Sequence, residues 1–502
     1  MPTTTPLTDA INALTTYANE TTGASDTTLS DAVATLVAGY GQGGGSSGWQ
    51  RPAEWPDISK LDRTGEVAYL LYSADEETGF CDILVQANYK VTIGHIENDA
   101  FVADTAETTV ASNSRYRKYF GSSSGGYKVV RIVGNAQSIL MLSTSGTYRN
   151  LVDGHPCYTQ SQGLLEVYGN LPNLRLTMDF SNMRYLQSVD ILSAHPNAMK
   201  FTGCLVLQNI ANDTWNLSTV TTFANAFQNC FMLKYVNTTN LVKSSCTNIS
   251  NIFQNCTALE SIDTSGWNTS NVTTFSGSFQ GCKNLMELTF PSNFVTSNAT
   301  SISSIIADCT LLDNIDMSDW DTSNVTTFSS VFSSCRSLKN LVFPSNFVTS
   351  KATNLSNMFN NCTSLGNVDM SDWDTSNVTN MQSLLNGVTM TKGDLSMLDM
   401  TKVTQANTAN ILANTINMPS ITMPSTLTKL YSSAFTNAEA YEFHFLSTTP
   451  PTLNDASFPT MTYYSGRKIY VPYSADHSVL NAYKTATYWS SLASYIFEEP
   501  QG

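Results

Sequence analysis

The sequence has little charge, because Asp, Glu, Lys and Arg make up only 13% of its 502 residues. That is about half the share usual in globular proteins. Acidic residues outnumber basic ones, 40 to 25, and the formal net charge is −15. Such a chain repels phosphate groups, so neither nucleic acid nor a membrane surface is an expected partner. The polar surface must come mainly from Ser, Thr and Asn, which suit hydrogen bonds to neutral polar ligands.

The sequence also lacks long apolar runs and targeting signals. No stretch of about 18 apolar residues is present, so no segment is expected to span a bilayer. The first residues, Met1-Pro-Thr-Thr-Thr5, have neither the basic nor the apolar segment of a signal peptide. A surface protein without an export signal is typical of a virion component that is released by lysis. We therefore expect a virion location, with the bacterial cell surface as the alternative.

Signatures of catalysis, cofactors and metals are absent. The five histidines are scattered and form no His-x-x-x-His pair, so zinc is not expected. Gly43–Gly48 and Gly121–Gly125 spell known motifs but lack the flanking strand and helix, and we interpret them as a linker and a turn. The segments around Asp319 and Asp372 lack the turn glycine and distal glutamate of a calcium loop. We expect no catalytic residue, cofactor or metal ion. A glycan-degrading enzyme within residues 57–165 would need a carboxylate pair, for which there is no candidate.

Five regions follow one another along the chain. Residues 1–42 have the spacing of two short amphipathic helices, and such a small hairpin must pack against copies of itself or a partner. We expect it to mediate attachment to other virion proteins and homo-oligomerisation, most simply as a trimer. Residues 43–56 form a Gly-rich linker and an extended segment. Residues 57–165 alternate short strands with turns, which predicts a jelly-roll-like β-sandwich. Residues 166–430 and 431–502 are a repeat region and its C-terminal cap.

The repeat unit is Phe-x-x-Cys-x-x-Leu, which occurs seven times with Ile306 once in place of Phe. Its cysteines are spaced by 26, 26, 26, 27, 26 and 27 residues, at Cys204, Cys230, Cys256, Cys282, Cys309, Cys335 and Cys362. A period of this length predicts a leucine-rich-repeat solenoid, in which neighbouring coils bury each other's apolar sides. The fold is thus expected to be mainly β with short helices.

Each unit is interpreted as one coil. In the unit that starts at Leu312, the apolar Leu312, Ile315 and Met317 should point inward from a short strand, and a short helix should run from Val325 to Cys335. The cysteines are then a buried packing ladder, with disulfides or a metal as alternatives. Trp215, Trp267, Trp320 and Trp373 recur in every second unit, which favours a packing role over sugar stacking.

The outward strand positions are the candidate ligand-binding residues. They are polar in unit after unit, and a ladder of amides and carboxylates at coil spacing can hydrogen-bond an extended glycan or peptide. The alternative is that these side chains solvate the face or bond to one another. We name this set the polar column: Tyr235, Asn237, Asp263, Glu287, Asn314, Asp316, Asn340, Asn367 and Asp369.

The repeats resemble the BspA-type leucine-rich-repeat surface proteins of bacteria. The resemblance rests on Trp373-Asp-Thr-Ser-Asn-Val-Thr-Asn-Met381 and on Met358-Phe-Asn-Asn-Cys-Thr-Ser-Leu365, and it covers residues 200–430. Residues 447–489 resemble the end caps of the same family, and the family is usually described as adhesive. The resemblance implies a solenoid that binds a host-surface glycan or protein.

The N-terminal helices, the glycine linker and Trp49-Gln-Arg-Pro-Ala-Glu-Trp-Pro56 resemble proteins of phages that infect Gram-positive gut bacteria. This resemblance implies a tail, baseplate or capsid fibre with an adhesive tip. The expected function is therefore that of a non-enzymatic phage fibre whose solenoid binds the host cell surface. A bacterial surface adhesin of the same repeat family is the alternative.

Overall fold

The described residues are mainly β with few helices, as predicted. The computed structural model describes residues 55–501 except 74–79, 86–87, 112–113, 120–126, 135–138, 142–146, 150–155, 159–163, 176, 240, 293, 345–346, 392, 405, 417 and 456–465. The predicted helices of 1–42 and most of the linker 43–56 lie outside the described residues. Contacts divide the chain into two units: unit 1 is Met1–Asn271 with Cys282–Leu285, and unit 2 is Val272–Gly281 with Met286–Gly502. The described residues include about 13 turns of β-solenoid.

Unit 1 contains 17 of the described strands and one 3-10 helix, Ile58–Lys60. The strands are β1 (Val67–Ser73), β2 (Phe80–Val85), β3 (Tyr89–Glu97), β4 (Ala100–Ala103), β5 (Thr108–Val110), β6 (Arg115–Tyr119), β7 (Tyr127–Val133), β8 (Ile139–Met141), β9 (Thr147–Arg149), β10 (Pro156–Tyr158), β11 (Leu164–Asn170), β12 (Thr177–Asp179), β13 (Ser188–Leu192), β14 (Ala198–Lys200), β15 (Asn209–Ala211), β16 (Tyr235–Val236) and β17 (Ser261–Ile262).

Two sheets of unit 1 run from the predicted sandwich into the repeats. The first has the order β16-β15-β13-β11-β1-β7-β3-β4, with β5 also paired to β3, and the second has the order β14-β12-β8-β2-β6. Strand β11 pairs antiparallel with β1 and parallel with β13. It therefore joins an antiparallel half to a parallel stack of coils. A separate jelly-roll sandwich is not confirmed, because both sheets continue past residue 165 and the predicted boundary falls inside β11.

The first sheet of unit 1 is buried on both faces around β1, where Val67 through Tyr72 are at most 5% exposed. This follows from the uninterrupted apolar sequence Val-Ala-Tyr-Leu-Leu-Tyr, since a half-exposed strand would alternate. One face packs against Ile58 and Leu61 of the preceding segment. The strand thus belongs to the interior and is not part of a candidate site.

The coil that starts at Leu312 shows how the repeats of unit 2 fold. Its strand β19 (Asn314–Asp316) pairs in parallel with β20 (Asn340–Val342) of the next coil. Leu312, Ile315 and Met317 are at most 2% exposed, so the predicted inward positions are confirmed. A second ladder of parallel bridges runs along the other side of the coils, through Ser301, Thr327, Asn354 and Asn380.

The predicted short helix from Val325 to Cys335 is wrong. Ser330 and Ser334 have left-handed backbones, with φ of +58° and +62°, and the segment is a series of tight turns. Main-chain N–H groups at alternate positions point to the next coil, so that Ser330 donates to the carbonyl of Ser356 (2.8 Å) and Ser334 to that of Asn360 (2.7 Å). These bonds between coils replace the i→i−4 bonds that an α-helix would need.

The same conformation recurs immediately before each ladder cysteine. The residue at that position is always Gly, Asn, Asp or Ser, the types that accept a positive φ most readily. These residues are Gly203, Asn229, Asn255, Gly281, Asp308, Ser334 and Asn361.

Unit 2 contains the remaining described strands: β18 (Glu287–Leu288), β19, β20, β21 (Gly393–Asp394), β22 (Ser420–Met423), β23 (Lys429–Leu430), β24 (Glu442–Phe445), β25 (Thr452–Leu453), β26 (Lys468–Val471) and β27 (Ile496–Glu498). One α-helix is described, α1 (Ser478–Thr485), with 3-10 helices at Ala406–Thr408, Ser432–Phe435 and Trp489–Tyr495. The last sheet has the order β21-β22-β24-β26-β27, all parallel.

The C-terminal end of unit 2 is closed by an aromatic cluster. Tyr483 of α1 and Trp489 pack edge to face with ring centroids 5.0 Å apart, and Trp489 meets Phe445 of β24 at 5.1 Å. The polar atoms of both side chains form hydrogen bonds. The Trp489 Nε1–H donates to the carbonyl of Pro451 (2.7 Å), and the Tyr483 hydroxyl donates to that of Ser447 (2.9 Å). Burial raises the pKa of Tyr483 above its ordinary value. These contacts cover the apolar interior of the last coils.

Candidate ligand-binding face

The polar column lies on the strand side of the coils, where residues alternate between the interior and the solvent. In unit 2, Asn314 and Asp316 are exposed on either side of the buried Ile315. Asn340 stands directly opposite Asn314 in the register, and its Nδ2 donates to the Asn314 Oδ1. The carboxylate of Glu287 is exposed. It has no hydrogen-bond or ion-pair partner within the described residues.

The unit 1 members of the column bond to the coil before them. The Asn237 Nδ2 donates to the Asp213 carboxylate (2.5 Å), and the Asn237 main-chain N–H donates to the Asn212 Oδ1 (2.8 Å). Asp263 accepts from the Thr239 hydroxyl (2.7 Å) and from the Ser265 N–H (2.8 Å). The side chain of Tyr235 lies outside the described residues.

The remaining members form similar local bonds. Asn367 pairs with Thr391, donating from Nδ2 to the hydroxyl (2.8 Å) and accepting from the main-chain N–H (3.0 Å). Asp316 accepts from the Ser318 N–H (2.8 Å), and Asp369 from the Ser371 N–H (3.0 Å). Asn367 and Asp369 do not lie in a strand.

Hydrogen bonds hold the exposed carboxylates in their charged form. Bonds from the Ser318 main chain and side chain lower the pKa of Asp316, and bonds from Ser371 do the same for Asp369. The Ser265 side chain, together with Thr239, lowers the pKa of Asp263. The face is therefore negative at neutral pH, and its oxygens accept hydrogen bonds but do not donate them.

The alternative that these residues bond to one another is thus correct in part. Most of the amides and carboxylates already share a bond with a neighbouring coil, which fixes their side chains. Within the described residues, each carboxylate accepts fewer hydrogen bonds than its lone pairs allow, and each amide makes fewer than its donors and acceptors allow. The column is an ordered polar surface with unused hydrogen-bonding capacity.

The seven ladder cysteines are buried, as the packing interpretation predicted, and their thiols are also hydrogen-bonded. Each is at most 1% exposed, and the nine cysteines among the described residues form no disulfide. Each thiol donates to the main-chain carbonyl of the residue at the Phe position one coil earlier; for example, Cys230 bonds to Phe201 (3.1 Å) and Cys335 to Ile306 (3.0 Å). Burial raises the pKa of the Cys282 thiol to about 12. These thiols are structural.

The four repeat tryptophans are also structural, since they are at most 8% exposed. The Trp267 Nε1–H donates to the carbonyl of Thr238 (2.6 Å), and that of Trp215 donates to the carbonyl of Ile191 (2.6 Å). Their indole faces are not accessible to a sugar.

Sequence reasoning missed the outward residues of the last three strands. His444, Tyr470 and Phe497 stand side by side on β24, β26 and β27. The signal was present in the alternation of Glu442-Phe-His-Phe445 and Lys468-Ile-Tyr-Val471, whose Phe, Ile and Val are buried. From the sequence alone, this segment is interpreted only as part of the cap.

Two further observations concern the described residues alone. No group of three or more His, Cys, Asp or Glu side chains among them is placed to hold a metal ion. Within the same part of the chain, no helix combines the length and the apolar character needed to cross a membrane.

The repeats match two known protein families. Residues 197–314, 247–343 and 300–422 match the family described as "Mycoplasma protein of unknown function, DUF285". Residues 390–475 match "BspA type Leucine rich repeat region (6 copies)". The chain therefore contains a BspA-type leucine-rich-repeat region and a DUF285 domain. Repeats of the BspA type are typical of surface-associated proteins, which indicates a surface or adhesin-type protein.

The other comparisons add little. No curated protein matches the chain. A solved structure, the functional domain of InlJ from Listeria monocytogenes with "a cysteine ladder", is 12% identical and covers 63% of this chain and 76% of that chain, with a TM-score of 0.15. A TM-score this low does not establish a common arrangement of the two chains.

Proposed function

We propose that the chain is a non-enzymatic recognition protein, a structural fibre of a phage whose polar column binds carbohydrate on the host cell surface. The observation that carries the proposal is the exposed, ordered set of amides and carboxylates on the strand side of the coils within unit 2, from Glu287 to Asp369. Residues that are held in place before binding lose little conformational entropy when a ligand arrives. The BspA-type repeats support a surface role, and the N-terminal resemblance to phage proteins supports the fibre.

The best-defined part of the column for a test is Glu287, Asn314 and Asn340 in unit 2. The labelled full chain should bind intact host bacteria, and the triple variant Glu287→Ala, Asn314→Ala, Asn340→Ala should bind them about tenfold more weakly, the equivalent of one or two lost hydrogen bonds. Gln382→Ala is the matched control, because Gln382 is an exposed amide next to the opposite ladder, at Asn380. Equal binding of the triple variant and wild type would reject the column as the site.

The virion location has its own experiment. Antibodies raised against the chain should decorate purified phage particles in electron micrographs and detect the chain in their protein profile. Particles that contain none of this chain would exclude the fibre role.

The match to BspA-type repeats favours a second candidate, a bacterial cell-surface adhesin. Fractionation of the producing bacterium separates the two, since an adhesin accumulates on the cell surface in the absence of phage particles. Both candidates share the recognition face and differ only in what carries it.

A further inference from the structure

The outward side of the last sheet carries a row of rings that the rest of that side lacks. His444, Tyr470 and Phe497 are register partners on three adjacent parallel strands. The rings of His444 and Tyr470 are nearly parallel, with centroids 5.0 Å apart and an interplanar angle of 15°. Phe497 lies 6.4 Å from Tyr470 and is tilted by 47°. We call these three residues the aromatic row.

The core does not require these rings. The opposite side of the sheet faces the interior. It is filled by Phe443, Phe445, Ile469 and Val471, each at most 1% exposed. Phe497, in contrast, is 43% exposed, and β27 is the last strand of its sheet. Register partners of His444 further back in the sheet are small or polar, namely Thr422 and Asp394. Three contiguous rings on an otherwise polar side of a sheet, and not the exposure of Phe497 alone, are the feature that indicates a recognition site.

Charged groups frame the aromatic row on both sides. The Glu499 carboxylate accepts from the His444 Nδ1 (2.6 Å), and the Glu442 carboxylate lies 3.7 Å from Nε2. The Lys468 ammonium lies 5.9 Å from the Phe497 ring centroid. Two carboxylates against one ammonium disfavour an anionic ligand, and a whole-chain net charge of −15 acts in the same direction. Carboxylates accept hydrogen bonds from hydroxyl groups.

We infer that the aromatic row and its flanking carboxylates form a binding subsite for one uncharged pyranose ring of a glycan, stacked on the exposed Phe497 ring. The sugar's C–H face covers the ring, and hydroxyls of the same glycan donate to Glu442 or Glu499, which lie at the His444 end of the aromatic row. Apolar surface with a few fixed polar groups is the usual composition of a small-ligand site. The inference rests on the proposed recognition function but uses residues outside the polar column.

Affinity electrophoresis tests the subsite with defined probes. The full chain migrates in a native gel because of its negative charge, and a polysaccharide in the gel that binds the chain retards it. The probes are three neutral polymers, dextran, hydroxyethyl cellulose and galactomannan, with anionic polygalacturonate for comparison. We expect retardation by at least one neutral polymer and none by polygalacturonate. Failure of all three neutral polymers to retard the chain would overturn the inference.

Variants of Phe497 then locate the contact. Phe497→Ala should raise the dissociation constant for the retarding polymer about fivefold or more, which is the effect of losing one aromatic contact. Phe497→Leu should do the same, because it keeps apolar area but has no ring face, whereas Phe497→Tyr should restore binding. Tyr185→Ala is the control, since Tyr185 is an equally exposed ring in unit 1, at 44%. Binding by the leucine variant equal to wild type would reject stacking.

Two outcomes separate this inference from the proposed function. If the chain binds host cells but Phe497→Ala binds polysaccharide and cells as well as wild type, the subsite is wrong and the recognition function stands. If the chain is retarded by a neutral polymer through Phe497 but does not bind host cells, the subsite stands and the recognition function fails. Unchanged thermal unfolding of each variant shows that its binding defect is local.

Discussion

The thiol of Cys335 donates a hydrogen bond of 3.0 Å to the carbonyl of Ile306, one coil earlier in the chain. In other coils the carbonyl at the Phe position accepts two hydrogen bonds. The Phe227 carbonyl, for example, accepts the N–H of Cys230 in its own coil and the thiol of Cys256 in the next coil. The cysteine therefore satisfies the second lone pair of a buried carbonyl. This use explains why a small, weakly polar donor recurs at the site: Ala would leave the lone pair unused, and a larger residue would not fit.

Replacement of one ladder thiol should lower the free energy of unfolding without changing the fold. For Cys335→Ala we expect a loss of about 1–2 kcal/mol, from one weak hydrogen bond and a small cavity. Urea unfolding followed by circular dichroism measures the loss. Cys335→Ser keeps a donor and serves as the companion variant. A change below about 0.5 kcal/mol for the alanine variant would show that the bond adds nothing.

Native ladder thiols should be unreactive. Burial raises the pKa of the Cys282 thiol to about 12 and that of the Cys362 thiol similarly. The thiolate is therefore nearly absent at pH 8, and a thiol reagent in solution cannot reach the buried sulfur. Titration with a thiol-specific disulfide reagent should modify none of the seven ladder cysteines in the folded chain and all of them in guanidinium chloride. Thiols that fail to react after denaturation without reductant would indicate disulfides instead.

The left-handed position before each cysteine should discriminate sharply between substitutions. Ser334 has φ of +62°, and its N–H donates to Asn360. Ser334→Val should cost about 1–2 kcal/mol, because a β-branched side chain clashes in this conformation. Ser334→Gly should be close to neutral, since glycine removes the strain but adds chain entropy. Denaturant unfolding measures the free energy of unfolding of both variants. Equal values would contradict the expectation that the positive φ of Ser334 disfavours a β-branched residue.

The sequence predicted the repeat period, the inward Phe, Cys and Leu residues and the outward polar positions, because all of these depend on alternation and periodicity. It did not predict the turns. Ser330 and Ser334 lie in a stretch with apolar residues at helical spacing, and a local pattern cannot show that the N–H bonds are directed to another coil. The composition before each cysteine, always Gly, Asn, Asp or Ser, held that information.

For the candidate site, the sequence predicted only which side chains face solvent. That Asn314 and Asp316 face solvent follows from strand alternation, but that Asn314 bonds to Asn340 depends on coil register. The aromatic row was missed for the same reason, since residues 444, 470 and 497 become neighbours only after the coils are aligned. The sandwich prediction is not confirmed, and nothing in the sequence of β11 shows that this strand pairs with β1 on one side and with β13 on the other.

Two repeat tryptophans should respond differently to the same change. The Trp267 Nε1–H bonds to the Thr238 carbonyl, whereas the buried Nε1 of Trp320 has no hydrogen-bond partner among the described residues. Trp267→Phe leaves that carbonyl without its donor and should cost about 2–4 kcal/mol. Trp320→Phe removes an unsatisfied donor, which offsets part of the cavity cost, so we expect a loss at least about 1 kcal/mol smaller. Equal losses in denaturant unfolding would argue that packing alone sets the effect.

Acidification should lower the stability of the coils that carry Asp316 and Asp369. The Ser318 hydrogen bonds lower the pKa of Asp316 below its ordinary value of 3.8. A carboxyl group with a lowered folded-state pKa contributes its full stability above the unfolded value, and the contribution disappears as the pH falls through the folded value. Stability should therefore be flat above about pH 5 and decline below about pH 4, where Asp316 and Asp369 take up protons. Asp316→Asn removes one titrating group and should make the decline less steep in thermal unfolding curves recorded from pH 2 to 7. A decline as steep as that of wild type would mean that other carboxylates govern the acid response.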